Sequence, residues 1–190
     1  MQIQTTREDH RIAWLAALAV AIHVAEAVLP SPLPGIKPGL ANVVTVVALL
    51  RYGWRAAAWI SGLRVLAGSL ITGTFLSPTF LLSASGSLCA LLVLALVHAL
   101  QADRPTERLV LSAVGLSVIA ALAHMGGQFL VAWYLLIPHP ALLKLLPVFM
   151  SFALAFGILS GTIACGVIAR LNADPADHPS DDVTPQRDQT

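Results

Sequence analysis

Charge is scarce in this sequence. Of 190 residues only 11 are Lys or Arg and 10 are Asp or Glu, and the basic residues stand singly or in widely spaced pairs. That excludes a nucleic-acid surface, which needs basic side chains gathered on one face. Cysteine is scarcer still. Cys89 and Cys165 both lie in apolar segments, without CxxC or Cys/His spacing, and read as small hydrophobes instead of a disulfide or metal site. No Walker A sequence is present, so the chain has no P-loop for ATP hydrolysis. The aspartate-rich pairs that hold Mg²⁺ around an allylic diphosphate are also missing; Asp181 and Asp182 stand in a polar tail and read as solvated charges. No catalytic residue, no cofactor and no metal is expected.

What fills the chain is hydrocarbon: 57% of residues are hydrophobic and the mean hydropathy is +0.79. Apolar runs of about 15 to 25 residues separate the charged clusters, long enough to cross a bilayer as helices. The expected fold is all-α and polytopic, with six transmembrane helices at about 12–29, 36–50, 56–75, 78–101, 109–137 and 144–170. Residues 1–11 form a cytoplasmic N-terminal segment, 12–171 the transmembrane domain, and 172–190 a cytoplasmic tail. That tail is rich in Asp, Pro and Gln and poor in large apolar residues, so it is expected to be disordered.

Positive charge sets orientation. Arg7, Arg11, Arg51, Arg55, Arg104, Arg108, Arg170 and Arg187 fall on one side of the six-span reading, and only Lys37 and Lys144 on the other. Lys and Arg accumulate in cytoplasmic loops, so both termini are expected inside, in an inner (cytoplasmic) membrane. The uncharged loop at 74–79, TFLSPT, suits translocation. A cleavable leader is argued against by the length of the first apolar run and by Glu26 at the Ala25-Glu26-Ala27 site.

Ionisable and amide groups inside apolar spans cost roughly 2.5 to 3.5 kcal/mol each to insert and are functional candidates by default. Here they are His23 and Glu26 on span one, Lys37 and Asn42 on span two, Arg64 on span three, and His124 and Gln128 on span five. Helical rise places Glu26 roughly 21 Å and His124 roughly 22 Å along outward-running spans, Asn42 roughly 9 Å below the outer edge, and Arg64 near the midplane. The spacings i,i+3 and i,i+4 give each of the pairs His23/Glu26 and His124/Gln128 a shared face. The simplest arrangement is a polar, outward-opening cavity. Its substrate-binding candidates are Lys37, Asn42, Arg64, His124 and Gln128, with Glu26 as counter-ion to Arg64 or as a proton-linked group. Structural alternatives stand beside each: Lys37 as an interface anchor, Asn42 as a helix-to-helix hydrogen bond, Glu26–Arg64 as a purely structural pair. Basic and amide groups outnumber the carboxylate, which suggests an anionic or mixed polar-aromatic ligand.

Two further patterns concern packing. Ala13, Ala17, Ala21 and Ala25 recur every four residues, and Gly157 with Gly161 forms a small-xxx-small step. Such stripes serve either close packing within the bundle or docking of another membrane subunit. Pro30, Pro32, Pro34, Gly35, Pro38 and Gly39 make a rigid first outer loop, either a plain helix-stopping turn or a cap on the cavity.

The segments PGIKPGLANVVTVVAL at 34–49, RVLAGSLITGTF at 64–75, FLLSASGSLCALLV at 80–93 and GLSVIAALAHMGGQFLVAW at 115–133 together resemble the Gx transporter family, also labelled heptaprenyl diphosphate synthase component I. The likeness spans about 12–170 and departs at Pro38, where Leu is usual, and at Met125, where Asn is common. It implies a bundle like the S components of energy-coupling-factor transporters, with an outer binding site for a small solute. It also implies that Ala13, Ala17 and Ala21 dock on a transmembrane coupling subunit driven by two ATPases. The synthase label implies another class, an accessory subunit for a separate polyprenyl diphosphate synthase. A third reading is a membrane subunit of a flavin- or quinone-linked electron-transfer system.

Overall fold

Serine, glycine and proline set the helix ends. Ser77 precedes Pro78, whose missing N–H costs nothing in a first turn, and the Ser77 hydroxyl accepts from the Phe80 N–H at 3.3 Å. The Ser112 hydroxyl accepts from the Gly115 N–H in the same way. His139 precedes Pro140, and its Nδ1 accepts from the Ala141 N–H at 3.1 Å. In the computed structural model, which describes residues 7–28, 40–102 and 112–173, these ends bound six α-helices. They are α1 (Arg7–Val28), α2 (Ala41–Tyr52), α3 (Trp54–Ile71), α4 (Pro78–Ala102), α5 (Ala113–Val131) and α6 (Pro140–Ala173). A π-helical turn, Ala132–Leu136, extends α5. Its neighbouring rings Trp133 and Tyr134 lie 5.1 Å apart, amphipathic aromatics of the kind that sit at headgroup level. The described residues are 91% helical, without strands.

Only Gly53 separates α2 from α3, at φ +84° and ψ −177°, a conformation essentially closed to residues with a Cβ. Arg51 and Arg55 flank it, both exposed. The short α2 is the centre of the bundle. Val43 to Leu49 are all buried, and the helix packs against α1, α3, α5 and α6. A helix apolar on every side belongs inside other helices. The most extensive contacts are α4 with α5 and α5 with α6. There the small-xxx-small step of α6 is spent inside the bundle: Gly157 meets Val118 and Gly161 meets Val114 of α5, backbone to backbone.

The outside of the molecule is apolar. On α4, Leu88, Leu92, Leu96 and Leu100 form a stripe with each side chain 58–61% exposed. Water would penalise such a surface, whereas lipid accepts it. Four helical segments are long and apolar enough to cross a membrane: Asp9–Ala27, Pro78–Leu100, Ala113–Leu136 and Pro140–Leu171. This is an all-helical, membrane-embedded protein.

The six expected segments coincide with the six helices, with shifted edges. The sixth begins at Pro140 and not 144, because a proline is well placed in a first turn. The third ends at Ile71 and not 75, because the Thr72 hydroxyl turns back onto the Gly68 carbonyl at 2.8 Å and Gly73 takes φ +69°. Six crossings are a finer matter than six helices. The 12-residue α2 is short, and α3 carries Arg55 and Arg64 within its 18 residues, so neither meets the length and hydropathy of the other four. The proline-rich loop, Lys37, Arg104, Arg108 and the tail from 174 lie outside the described residues.

Candidate functional site

Helical periodicity builds one wall of the site. Ser117, Ala121 and His124 fall at i, i+4 and i+7 on α5, and Ala153, Phe156 and Ser160 at i, i+3 and i+7 on α6. With Asn42 of α2, Arg64 of α3 and Met125 they line a cavity of about 70 Å³ between four helices. Three of the expected site residues, Asn42, Arg64 and His124, therefore meet in one place.

Arg64 is held from two sides. Its Nη2 donates to the Ser87 hydroxyl of α4 at 3.3 Å, and Ser87 shares a 2.7 Å hydrogen bond with Ser61 of α3. Glu26 of α1 is close enough for its carboxylate to act electrostatically on the guanidinium. Both are buried, at 5% and 4% exposure, so each charge depends on the other for compensation. Glu26 has a second task. Its Oε1 accepts from the Leu40 backbone N–H, at the start of α2, where no local side chain caps the helix. A carboxylate there satisfies a free donor and meets the positive end of the helix dipole.

His124 is fixed by a hydrogen bond to the Gly86 backbone of α4. Gly86 allows this approach: a Cβ there would stand 2.8 Å from His124 Nε2 and 2.8 Å from Gln128 Cγ. Gln128 consequently packs on α4, one turn from His124, and is not among the residues lining the cavity. Burial leaves three cavity-lining residues with a polar atom unpaired: Arg64 Nε, Ser117 Oγ and His124 Nδ1. Fully buried polar atoms normally find partners, so three unpaired ones among the residues of one cavity set this part of the bundle apart.

A larger pocket of about 470 Å³ lies at the C-terminal ends of α1 and α3 and the N-terminal end of α4. Ser69, Thr72, Thr74, Thr79 and Ser83 give it hydroxyl walls, and His23 joins them. The ring of His23 rests on Gly68, where a Cβ would collide with it, and it lies near enough to His124 to influence it electrostatically. His23 thus stands between the large pocket and the polar cluster. Sequence reasoning missed the hydroxyl residues of both spaces. Ser117 was findable, since it shares the α5 face of His124; Ser160 and Ser87 carry no comparable signal.

The family model described as heptaprenyl diphosphate synthase component I matches residues 15–167. The chain belongs to that family. The heptaprenyl diphosphate synthase component I region runs from α1 into α6 and contains every residue of the small cavity, and it agrees with the Gx transporter resemblance read from the four sequence segments. No curated protein and no solved structure matches the chain. Of the alanine stripe, Ala13 precedes the matched region while Ala17 and Ala21 lie within it. All three are exposed, as is Ala25, whereas Ala16 and Ala19 on the other face of α1 are buried in the core. Cys89 and Cys165 are free thiols.

Proposed function

We propose that this protein is the membrane-embedded, substrate-binding subunit of a transporter, capturing a small solute from the outer face as S components do. One observation supports this most: Asn42, Arg64, Ser117, His124 and Ser160 come from four helices to one intramembrane cavity with unpaired polar atoms. Intramembrane groups so arranged mark substrate pathways more often than they serve stability. The chain crosses the inner membrane six times with both termini in the cytoplasm, following its arginine distribution. On that orientation the 470 Å³ pocket opens outward and the small cavity lies beneath it. Lys37, Gln128 and Glu26 are supporting members of the site, Glu26 through Arg64.

The subunit performs no catalysis of its own. A transmembrane coupling subunit with two ATPases supplies the energy, docked on the exposed Ala13, Ala17 and Ala21 face. Exposure of that face, while the glycine step of α6 is consumed inside the bundle, favours a partner at α1. The family description favours a second reading, an accessory membrane subunit for a polyprenyl diphosphate synthase. Native mass spectrometry of the detergent-purified protein from its own host, with extraction of bound small molecules, separates them. A bound solute or copurifying ATPases supports transport. A copurifying soluble prenyl synthase, or a bound quinone or flavin beside redox subunits, refutes it.

A further inference from the structure

The large pocket at the ends of α1, α3 and α4 has hydroxyl groups whose protons are already committed to the protein. Thr72 donates to the Gly68 carbonyl at 2.8 Å. A hydroxyl has one proton, so in the 2.9 Å hydrogen bond between Thr72 and Thr74 it is Thr74 that donates. The turn after α3 holds this arrangement, because the Thr74 N–H donates to the Ser69 carbonyl at 2.9 Å. What Thr72 and Thr74 have left for an occupant is lone pairs. Unlike the sealed atoms of the small cavity, these side chains are half-buried and the hydrogen bonds between them are only partly covered. Polar atoms are exposed on the pocket wall. Thr79, exposed, and Ser83, half-buried, add hydroxyls from α4 that serve in either sense.

Charge is missing from the same walls. Among the described residues that line the pocket there is no Lys, Arg, Asp or Glu, and His23 alone is titratable. An anion would face the lone pairs of Thr72 and Thr74 without a Lys or Arg to hold it, and a cation would shed its water without meeting a carboxylate. Apolar side chains complete the lining, with Val24 and Ala27 from α1, Val65 from α3 and Phe80 from α4. The Phe80 ring is set by a tilted contact with Phe75, their centroids 5.0 Å apart. We infer that the large pocket takes a neutral aromatic solute bearing hydroxyl or N–H donors, the donors directed at Thr72 and Thr74 and the ring lying among Val24, Val65 and Phe80. This rests on the solute-binding reading and narrows its substrate class from anionic or polar-aromatic ligands to neutral aromatic ones, held in the large pocket and not in the small cavity. A volume of about 470 Å³ suits such a molecule, since small-molecule pockets run to roughly 300–1,000 Å³.

Resorcinol, a neutral ring with a pair of hydroxyl donors, is the probe. 1,3-Dimethoxybenzene keeps the ring and both oxygens without a donor, and benzoate keeps the ring with a negative charge. Full-length protein carrying ¹³C-methyl-labelled threonine is placed in lipid nanodiscs and titrated with each, the pocket signals being assigned from Thr72→Val, Thr74→Val and Thr79→Val. Resorcinol is expected to move the Thr72 and Thr74 methyl resonances saturably, with both controls weaker by about fivefold or more, the worth of one neutral hydrogen bond. Thr74→Val keeps the side chain's shape and removes an acceptor, so it should weaken resorcinol by about the same factor at the Thr72 methyl while leaving 1,3-dimethoxybenzene unchanged. Where that variant does not fold, Thr79→Trp decides: it fills the pocket from an exposed position and should abolish the saturable response. No saturable shift with resorcinol, an equal shift with either control, or a response that survives Thr79→Trp overturns the proposal. A donor-dependent resorcinol response without solute uptake or copurified solute refutes only the transport reading, whereas a charged copurified solute, or uptake with no resorcinol response, refutes only the substrate class.

Discussion

Replacing Gly161 with alanine should force α5 and α6 apart. A Cβ at Gly161 would stand 2.4 Å from Val114 Cα and 3.2 Å from both Val114 Cβ and Ser117 Cβ. Carbon atoms pack at about 3.5–4.0 Å, so the backbones must separate by roughly 1 Å or the methyl group must deform its neighbours. Alanine gains about 1 kcal/mol in helix propensity over glycine. Overpacking costs about 1–3 kcal/mol, and the closest neighbour here is backbone, which cannot rotate away, so the upper part of that range applies. The expected net is a loss of about 1–2 kcal/mol. Gly166 supplies the control on the same helix: it is exposed, and a Cβ there would meet nothing within 4 Å. Gly166→Ala should be neutral or stabilising by up to about 1 kcal/mol. Reversible unfolding in mixed micelles measures both. Gly161→Ala should also disturb the cavity, because Ser117 is one of the side chains displaced. A Gly161→Ala protein as stable as Gly166→Ala would refute the backbone contact and the geometry of the cavity wall built on it.

Breaking the buried charge pair should be costly. Glu26→Gln keeps an acceptor for the Leu40 N–H but leaves Arg64 uncompensated, so a loss of about 3 kcal/mol is expected, smaller when combined with Arg64→Met; additive losses in this cycle would argue against coupling. Gly53→Ala places a Cβ at φ +84° and ψ −177° and should destabilise by about 1–3 kcal/mol in the same unfolding assay. Ala17→Leu on the exposed face of α1 should leave folding intact while abolishing copurification of a coupling subunit; unchanged copurification and uptake would sink the docking role.

The helical membrane class and the six segments were legible because lipid demands long apolar runs, and a run is a property of the chain alone. Arg64, Asn42 and His124 were legible for the same reason in reverse, since a polar group in such a run stands out. Glu26 was legible as a partner for Arg64 but not as the cap of α2, because that contact joins Glu26 to Leu40 across the first loop. Gln128 shares with His124 the α5 face that meets Gly86 of α4, as its spacing promised, but it is not among the residues lining the small cavity, which spacing within one helix does not decide.

Composition and hydropathy by themselves thus determined that this chain lives among lipids as helices, and which rare polar residues need explaining. Tertiary structure alone decided which of them meet. Helix pairing depends on how closely backbones approach, and that is set by glycines such as Gly86, Gly157 and Gly161 together with whatever faces them. The same structure distinguished two small-residue stripes that look alike in sequence, one consumed between α5 and α6 and one left exposed on α1. Periodicity specifies a face, but only packing specifies the neighbour.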